Sequence, residues 1–222
     1  MRILHDNEYY NKTYVFRDRI DAGIKLAHFV SKFDTKSKDV VAIPAGGVPV
    51  AYSMAKKLNS QLRVLLVSKI LFPWTTEAGF GALSMFGDIE LNKDAIKYYG
   101  IDEGTIREQV RKTQYKIEKR LKIIPKNCLI AEKGDEVFLV DDGLASGYTM
   151  LVAIKSAKRF YDKIYVAVPT ASYHAANLIS KEYDALFCIN LRSTRIYAVA
   201  DAYLEWHDVD DEEMLKFLEY CK

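Results

Sequence analysis

The sequence lacks the features that mark several common classes of protein. Its three cysteines, Cys128, Cys188 and Cys221, are far apart, and no C-x-x-C pair occurs, so neither a zinc site nor a disulfide framework is predicted. Lys and Arg number 32 and Asp and Glu number 30, so no basic excess favours nucleic acid. No apolar run approaches the roughly 20 residues of a membrane helix. The first residues lack the apolar stretch of a signal peptide, so we expect a cytoplasmic protein.

Two well-known phosphate-binding patterns are absent as well. The chain contains neither G-x-x-x-x-G-K-[ST] nor G-x-G-x-x-G after a strand. If the protein binds phosphate, it does so through another arrangement of residues.

What the sequence does contain is an alternation of strand and helix patterns over its 222 residues. Helices are predicted over residues 18–33, 49–58, 92–100, 102–121, 147–160, 171–181 and 211–220. Strands are predicted over 40–43, 62–67, 137–140, 164–168 and 185–189, with a hairpin of 82–86 and 89–91. This order predicts a single α/β domain with a Rossmann-like, three-layer architecture, in which helices flank a mostly parallel sheet. Ligands of such sheets bind at the carboxyl ends of the strands.

The segment 68–82 has neither a helical nor a strand period and is long for a connection in a compact domain. It contains Phe72, Trp74 and Phe80, together with Gly79 and Gly81, which permit backbone rearrangement. These properties favour a mobile lid that closes over a ligand. Alternatively, the aromatic side chains form a fixed contact between subunits.

The most informative segment is VFLVDDGLASGYT, at residues 137–149. Its small residues let the backbone approach a ligand, and the helix that follows offers free N–H groups and its positive dipole end to a phosphate. Asp141 and Asp142 would repel that phosphate and must face another part of the ligand, such as sugar hydroxyls or a metal-bound water. A ribose 5-phosphate satisfies both requirements. The alternative is a plain strand–turn–helix corner in which the two Asp residues cap the helix.

This segment resembles the PRPP-binding motif of the type I phosphoribosyltransferases (PRPP is 5-phosphoribosyl 1-pyrophosphate). Further stretches resemble one branch of that family: FRDRIDAG (16–23), PAGGVPVA (44–51), VSKI (67–70), GFGALSMFGDIELN (79–92) and DVDDEEML (208–215). The resemblance implies the fold of that family, with a small hood subdomain, which we place in the terminal segments 1–16 and 190–222.

The resemblance also implies a role for individual residues. The catalytic group would comprise Asp141, Asp142, Lys69 and Glu77, with the two Asp residues on the ribose hydroxyls and, through water and PRPP, on Mg²⁺. The residues assigned to substrate binding are Ala45, Gly46, Gly47, Gly143, Ala145, Ser146, Gly147, Tyr148, Thr149, Tyr203 and Trp206. Ala45–Gly47 would form the pyrophosphate loop, which in the family often carries a non-proline cis peptide.

The acceptor is less well defined by the sequence. In purine-using relatives an aromatic side chain of the hood stacks on the base, and Tyr203, Trp206 and Tyr197 lie in the corresponding segment, although ordinary packing accounts for such aromatics equally well. Thr75, Thr76 and Glu77 are candidates for acid–base or positioning groups. We expect a nucleobase-like acceptor, a role in nucleotide salvage and a homodimer.

Two positions depart from the family pattern. Many relatives carry Arg or Lys at the position of Ala45, and the branch compared usually has Arg at that of Ser68. Each loss removes a cation from the pyrophosphate end, where a charge-assisted contact is worth roughly 1.5–3 kcal/mol. Two functions therefore remain open: transfer of 5-phosphoribose from PRPP to a nitrogen acceptor, or non-catalytic regulation by binding PRPP or a nucleotide.

Overall fold

A computed structural model describes residues 2–35 and 39–221, which form two sheets and seven α-helices. The strands are β1 (Ile3–His5), β2 (Asp39–Ala42), β3 (Gln61–Val64), β4 (Val67–Leu71), β5 (Gly79–Ser84), β6 (Ile89–Leu91), β7 (Gly134–Val140), β8 (Tyr161–Ser172) and β9 (Ala185–Arg192). The helices are α1 (Arg19–Val30), α2 (Gly47–Leu58), α3 (Lys93–Tyr99), α4 (Glu103–Leu121), α5 (Tyr148–Ala157), α6 (Tyr173–Leu178) and α7 (Asp211–Leu218).

The main sheet has six strands in the order β1-β9-β8-β7-β2-β3, and every neighbouring pair is parallel. Its central strands are buried on both faces: Phe138 and Val140 of β7 pack in the core beneath α1 and α2, whereas Val137 and Leu139 pack in the core beneath α5. Parallel strands covered on both faces are expected to be almost continuously apolar. The predicted three-layer α/β architecture is confirmed.

The helix ends follow from local chemistry. The carboxylate of Asp18 accepts a hydrogen bond from the N–H of Asp21 at the start of α1, and Asn92 caps α3 in the same way through the N–H of Ala95. Helix α3 ends at Gly100 in the left-handed conformation, with φ 65°. Within the described ranges, no helix combines the length and the apolar composition that a bilayer span requires.

The second sheet contradicts the prediction of an irregular segment at 68–82. Strands β4 and β5 form an antiparallel pair there, and β6 joins β5 on its other side, as the predicted hairpin required. Phe72 and Phe80 belong to the core, with 7% and 0% of their surface exposed, whereas Trp74 is 61% exposed. Only the connection between Leu71 and Gly79 is a loop.

The two glycines of β5 explain why the pattern was misread. A Cβ atom at Gly79 would lie 2.7 Å from the carbonyl oxygen of Ile70, and one at Gly81 would collide with the carbonyl oxygen of Glu90. These glycines therefore allow close approach between strands and do not act as hinges. The predicted strand 62–67 is also divided, because β3 ends at Val64 in the main sheet and β4 begins at Val67 in the second.

The terminal segments pack against each other beside the carboxyl edge of the main sheet. The N–H groups of Val15 and Phe16 donate to the carbonyl oxygen of Ala202, at 2.9 and 3.0 Å. Tyr14 donates in the same way to the carbonyl oxygen of Asp201, at 2.8 Å. The assignment of 1–16 and 190–222 to a hood stays a prediction, as does the homodimer.

One disulfide departs from the sequence-based expectation. Cys128 and Cys221 are bonded to each other across 93 positions of the chain, with their Cα atoms 5.3 Å apart. That separation lies within the range of protein disulfides. The spacing of the cysteines could not reveal the pair, because it depends on the packing of the C-terminal segment against the turn Lys126–Cys128. Cys188 is buried and unpaired.

Candidate functional site

Two loops meet at the carboxyl ends of the neighbouring strands β2 and β7. The N–H of Ile43 donates to the carbonyl oxygen of Val140 at 2.9 Å, which joins the strand ends. A Cβ atom at Gly47 would lie 2.8 Å from that same carbonyl oxygen, and one at Gly46 would collide with the carboxylate of Asp142. Glycine is therefore needed for the loop after β2 to lie against the two Asp residues. The expected cis peptide is present between Pro44 and Ala45.

The loop after β7 leaves a row of N–H groups open. In the described part of the chain, the N–H groups of residues 145–149 donate to no protein oxygen, and Ala145 and Ser146 are exposed. Gly147 stands before α5 in the left-handed conformation, with φ 88°, which directs the chain into the helix. Open N–H groups and the positive end of a helix are the features that bind phosphate in other proteins, so the predicted phosphate site stays a prediction that this geometry would suit.

Strand β8 holds this loop in place. Leu144 donates to the carbonyl oxygen of Thr170 at 3.0 Å and accepts from the N–H of Ser172 at 2.9 Å. The hydroxyl of Ser172 donates to the carbonyl oxygen of Ala145, also at 2.9 Å. Since the backbone of the loop is fixed from β8, its N–H groups are oriented before any ligand arrives.

The carboxylate of Asp142 is paired with Arg19, a residue that the sequence analysis did not single out. Nε and Nη2 of Arg19 lie 3.0 and 2.9 Å from Oδ2 of Asp142, and Nη1 donates to the carbonyl oxygen of His207 at 2.7 Å. Both side chains are largely buried, with 7% and 15% of their surface exposed. Oδ2 of Asp142 is thus neutralised by a cation of α1, and Oδ1 is the oxygen left for a ligand.

The two aromatic residues assigned to the acceptor support this ion pair. Tyr203 is 1% exposed, and its hydroxyl donates to the carbonyl oxygen of Asp142 at 2.6 Å. The guanidinium of Arg19 lies over the ring of Trp206, with Cζ 3.9 Å from the ring centre. Tyr203 is therefore a core residue, whereas Trp206 is 37% exposed. Their role in base stacking stays a prediction.

Asp141 differs from its neighbour because, among the residues that the structure describes, no cation is bonded to it. Burial, followed by the charge of Asp142, raises the pKa of Asp141 well above its ordinary value, and Lys69 partly opposes the shift. Oδ1 of Asp141 accepts the N–H of Asp142 at 2.9 Å. Because Arg19 neutralises Asp142, the acidic pair directs less net negative charge toward the neighbouring loops than two free carboxylates would.

Lys69 is exposed on β4, and its charge acts on Asp141 and on Lys116 of α4. The pKa of Lys116 is lowered by burial, then by the charges of Arg120 and Lys69. Lys116 was not singled out from the sequence because it lies in a highly charged helix that resembles a solvated face. Glu77 is exposed, and its N–H donates to Thr75 Oγ1 at 3.2 Å. No hydrogen bond or ion pair joins Glu77 to the two loops within the described residues.

No cluster of three or more metal-binding side chains occurs in residues 2–35 and 39–221. The carboxylates nearest to the loops are Asp141 and Asp142, and one oxygen of Asp142 is bound to Arg19. These residues suit a cation that arrives bound to phosphate oxygens and is reached through water, rather than a cation held in a protein cage.

The structure therefore brings a glycine-rich loop after β2 and an acidic pair with a loop of open N–H groups after the neighbouring strand β7 to one place, at the carboxyl edge of a parallel sheet where α/β proteins bind ligands. The chain matches no protein-family model. It is 30% identical, over 207 residues and 92% of its length, to a Mycobacterium tuberculosis protein named "Putative phosphoribosyl transferase" in each of two strains. The chain spans 46% of the length of those relatives.

Among solved structures, the chain is similar to the protein TT1426 from Thermus thermophilus. The two share 30% sequence identity with a TM-score of 0.73, and the similarity covers 93% of this chain and 99% of the other. Over nearly its whole length the chain is thus similar to proteins named phosphoribosyl transferase, and it shares the fold of TT1426.

Proposed function

We propose that this protein transfers the 5-phosphoribosyl group of PRPP to a nitrogen atom of an acceptor and releases pyrophosphate. The observation that carries the proposal is the juxtaposition of two loops with open N–H groups around one acidic pair. The loop at 145–149 suits the 5-phosphate. In the described chain the N–H groups of Ala45 and Gly46 also donate to no protein oxygen, which suits the pyrophosphate.

The chemistry requires positioning more than covalent participation by the protein. The bond between the anomeric carbon and the pyrophosphate oxygen breaks, a bond to the acceptor nitrogen forms, and the transition state resembles an oxocarbenium ion, as in glycosyl transfer generally. Asp141 and the free oxygen of Asp142 would bind the ribose hydroxyls. Lys69 would stabilise the charge that develops on the departing pyrophosphate.

Mg²⁺ is part of the proposal as a companion of PRPP. It would supply charge neutralisation at the pyrophosphate. Lys116, whose charge interacts with that of Lys69, would be a second cation available to the pyrophosphate, since Ala45 and Ser68 are not basic.

The acceptor proposed from the sequence is a nucleobase-like ring, with a role in nucleotide salvage. The competing function, a non-catalytic PRPP or nucleotide sensor, would use the same phosphate loop. It is favoured by the absent cations at Ala45 and Ser68. The two functions differ in a single outcome, which is whether PRPP is consumed.

The test combines binding with turnover. PRPP binding to the wild-type protein is measured by calorimetry with Mg²⁺, and pyrophosphate release is measured with a panel of nucleobases. Ser146→Asp places a carboxylate beside the open N–H groups and is expected to weaken PRPP binding at least ten-fold. The matched control, Ala131→Asp, adds the same charge at an exposed position before β7 and is expected to bind PRPP as the wild type does.

Binding without turnover across the panel supports the sensor over the enzyme. Absence of PRPP binding to a folded wild-type protein contradicts both functions. Equal binding by Ser146→Asp and the wild type contradicts the assigned phosphate loop.

A further inference from the structure

A cavity of about 470 Å³ opens on the side of the phosphate loop that faces away from β2. It lies at the carboxyl ends of β8 and β9, and its walls include Ala145, Ser172, Tyr173, His174, Arg192 and Tyr197. The volume is in the range of small-molecule sites. No Asp or Glu lines the cavity within the described residues.

Arg192, the last residue of β9, is a buried cation without an anionic partner in this cavity. Only 5% of its surface is exposed, and Nε and Nη1 are buried and have no hydrogen-bond partner in residues 2–35 and 39–221. Its remaining contacts are weak: Nη2 lies 3.4 Å from Thr194 Oγ1, and Cζ lies 5.8 Å from the ring centre of Tyr197. The parallel register of β9 with β8 places Arg192 opposite Ser172, which supports the phosphate loop.

An unpaired guanidinium in such a place is unfavourable for the free protein. Arginine stays protonated in proteins, so burial cannot be relieved by loss of a proton. Burying a charge without a partner costs free energy that a bound anion would restore. The flat fork of N–H groups matches the two oxygens of a carboxylate or of a phosphate. The arrangement is therefore that of an anion site adjacent to the phosphate loop.

We propose that Arg192 binds an anionic group of the acceptor, and that the acceptor is a flat ring carrying a carboxylate. This inference rests on the proposed function, because it assigns the cavity to the second substrate. The phosphates of PRPP have their own N–H groups on the two loops, so Arg192 is not needed for them. Tyr173, which is 48% exposed, and Tyr197 provide aromatic walls for a ring.

The experiment compares acceptor probes that differ in charge and little else. Nicotinate is paired with nicotinamide and orotate with uracil, and binding is measured by calorimetry with Mg²⁺ and PRPP present and absent. At least one carboxylate probe is expected to bind the wild type ten-fold or more tightly than its neutral partner. Arg192→Gln is expected to abolish that preference. The control Lys181→Gln removes a charge from the exposed end of the neighbouring segment and should leave the preference within two-fold.

Two further variants of Arg192 and two phosphate compounds complete the experiment. Arg192→Lys retains the positive charge but not the planar fork of N–H groups, so it should keep only part of the preference for the carboxylate probe. If the preference is lost completely only in Arg192→Gln, the guanidinium is supported as the recognition group. Arg192→Met is expected to raise the unfolding temperature of the free protein, because it removes an unpaired buried charge. A marked fall would show that Arg192 is already satisfied structurally and would overturn the proposal. Inorganic phosphate and ribose 5-phosphate are titrated alone.

The outcomes separate this inference from the proposed function. If neutral and anionic probes bind the wild type equally, the acceptor inference fails while PRPP binding stands unaffected. Inorganic phosphate or ribose 5-phosphate could displace the carboxylate probe from the wild type. If Arg192→Gln also prevents that phosphate compound from binding, the cavity is a phosphate site and the inference is overturned. If PRPP does not bind but the carboxylate preference depends on Arg192, the anion site stands and the proposed transferase function fails.

Discussion

Replacing Asp142 by Asn removes one charge from a side chain that has two roles: it stabilises the fold and is proposed to bind ribose. The side chain keeps its size and can still accept a hydrogen bond. What it loses is the negative charge that faces Nε and Nη2 of Arg19 at 3.0 and 2.9 Å. Because both partners are largely buried, solvent screens this loss only weakly.

The expected loss of stability follows from the charge that Arg19 keeps. Its guanidinium stays protonated and largely buried, and an Asn amide would no longer neutralise it. Removing one partner of a buried ion pair costs about 3–5 kcal/mol, and because the amide oxygen can still accept a hydrogen bond we expect the lower end, about 3 kcal/mol. For a chain of this size that corresponds to a fall in Tm of about 6–12 °C.

The assay is thermal unfolding at pH 7 without ligand, followed by PRPP titration well below the transition. Asp162→Asn serves as the control, since Asp162 is exposed at the start of β8, far from the loops, and should leave Tm unchanged. PRPP affinity of Asp142→Asn is expected to fall by roughly 1.5–3 kcal/mol, the worth of a charge-assisted contact. An unchanged Tm would refute the ion pair, and unchanged PRPP affinity would refute the ribose role.

Two further predictions concern neighbouring groups. Burial and the charge of Asp142 raise the pKa of Asp141 in the folded state. Asp141 therefore leaves the free energy of unfolding unchanged below about pH 4 and lowers it increasingly as pH rises through the folded pKa. The Tm of Asp141→Asn should therefore match the wild type near pH 4 and exceed it at pH 7–8; a lower Tm at neutral pH would contradict this reasoning. Lys69→Met should weaken pyrophosphate binding about ten-fold, the lower end of a charge-assisted contact at an exposed site, while Lys57→Met, at the end of α2, should not. The affinity of each variant for pyrophosphate is measured through product inhibition. Equal inhibition of the two variants would contradict a role for Lys69 in pyrophosphate binding.

The loop that we assign to a phosphate could be singled out from the sequence because its signal is local. An apolar strand, two carboxylates, small residues and a helix follow one another within thirteen positions, and each element has a physical reason to be there. The parallel sheet was predictable for a similar reason, since its strands alternate with helices along the chain.

The partners of the site could not be predicted, because they come from distant parts of the chain. Arg19 precedes Asp142 by 123 residues and meets it only after α1 packs onto the sheet. The one available signal was a charged residue on the apolar face of a helix. The sequence contains a similar signal at Arg192, which is a cation at the end of the apolar strand β9. The burial of Tyr203 could not be predicted either, because the sequence does not show whether an aromatic side chain in a late segment is exposed or packed in the core.

The hairpin of β4 and β5 was not predicted because its sequence has features that are typical of loops. Ser68 and Lys69 interrupt the apolar pattern of β4, and Gly79 and Gly81 are usual in flexible connections. Only the close approach of neighbouring backbones shows why these glycines belong in a strand. The lid hypothesis consequently applies to the short connection after Leu71, where Trp74 remains exposed.

The central claim is that the open N–H groups after β7 hold the 5-phosphate of PRPP during transfer. The most direct measurement is acceptor-dependent pyrophosphate release from PRPP and Mg²⁺ by the wild type and by Ser146→Asp, with Ala131→Asp alongside. The account predicts release of pyrophosphate in equal amount to a nucleoside 5′-monophosphate, lost in Ser146→Asp and retained in Ala131→Asp. Release that is unchanged in Ser146→Asp, or a wild-type protein that neither binds nor consumes PRPP, would contradict it.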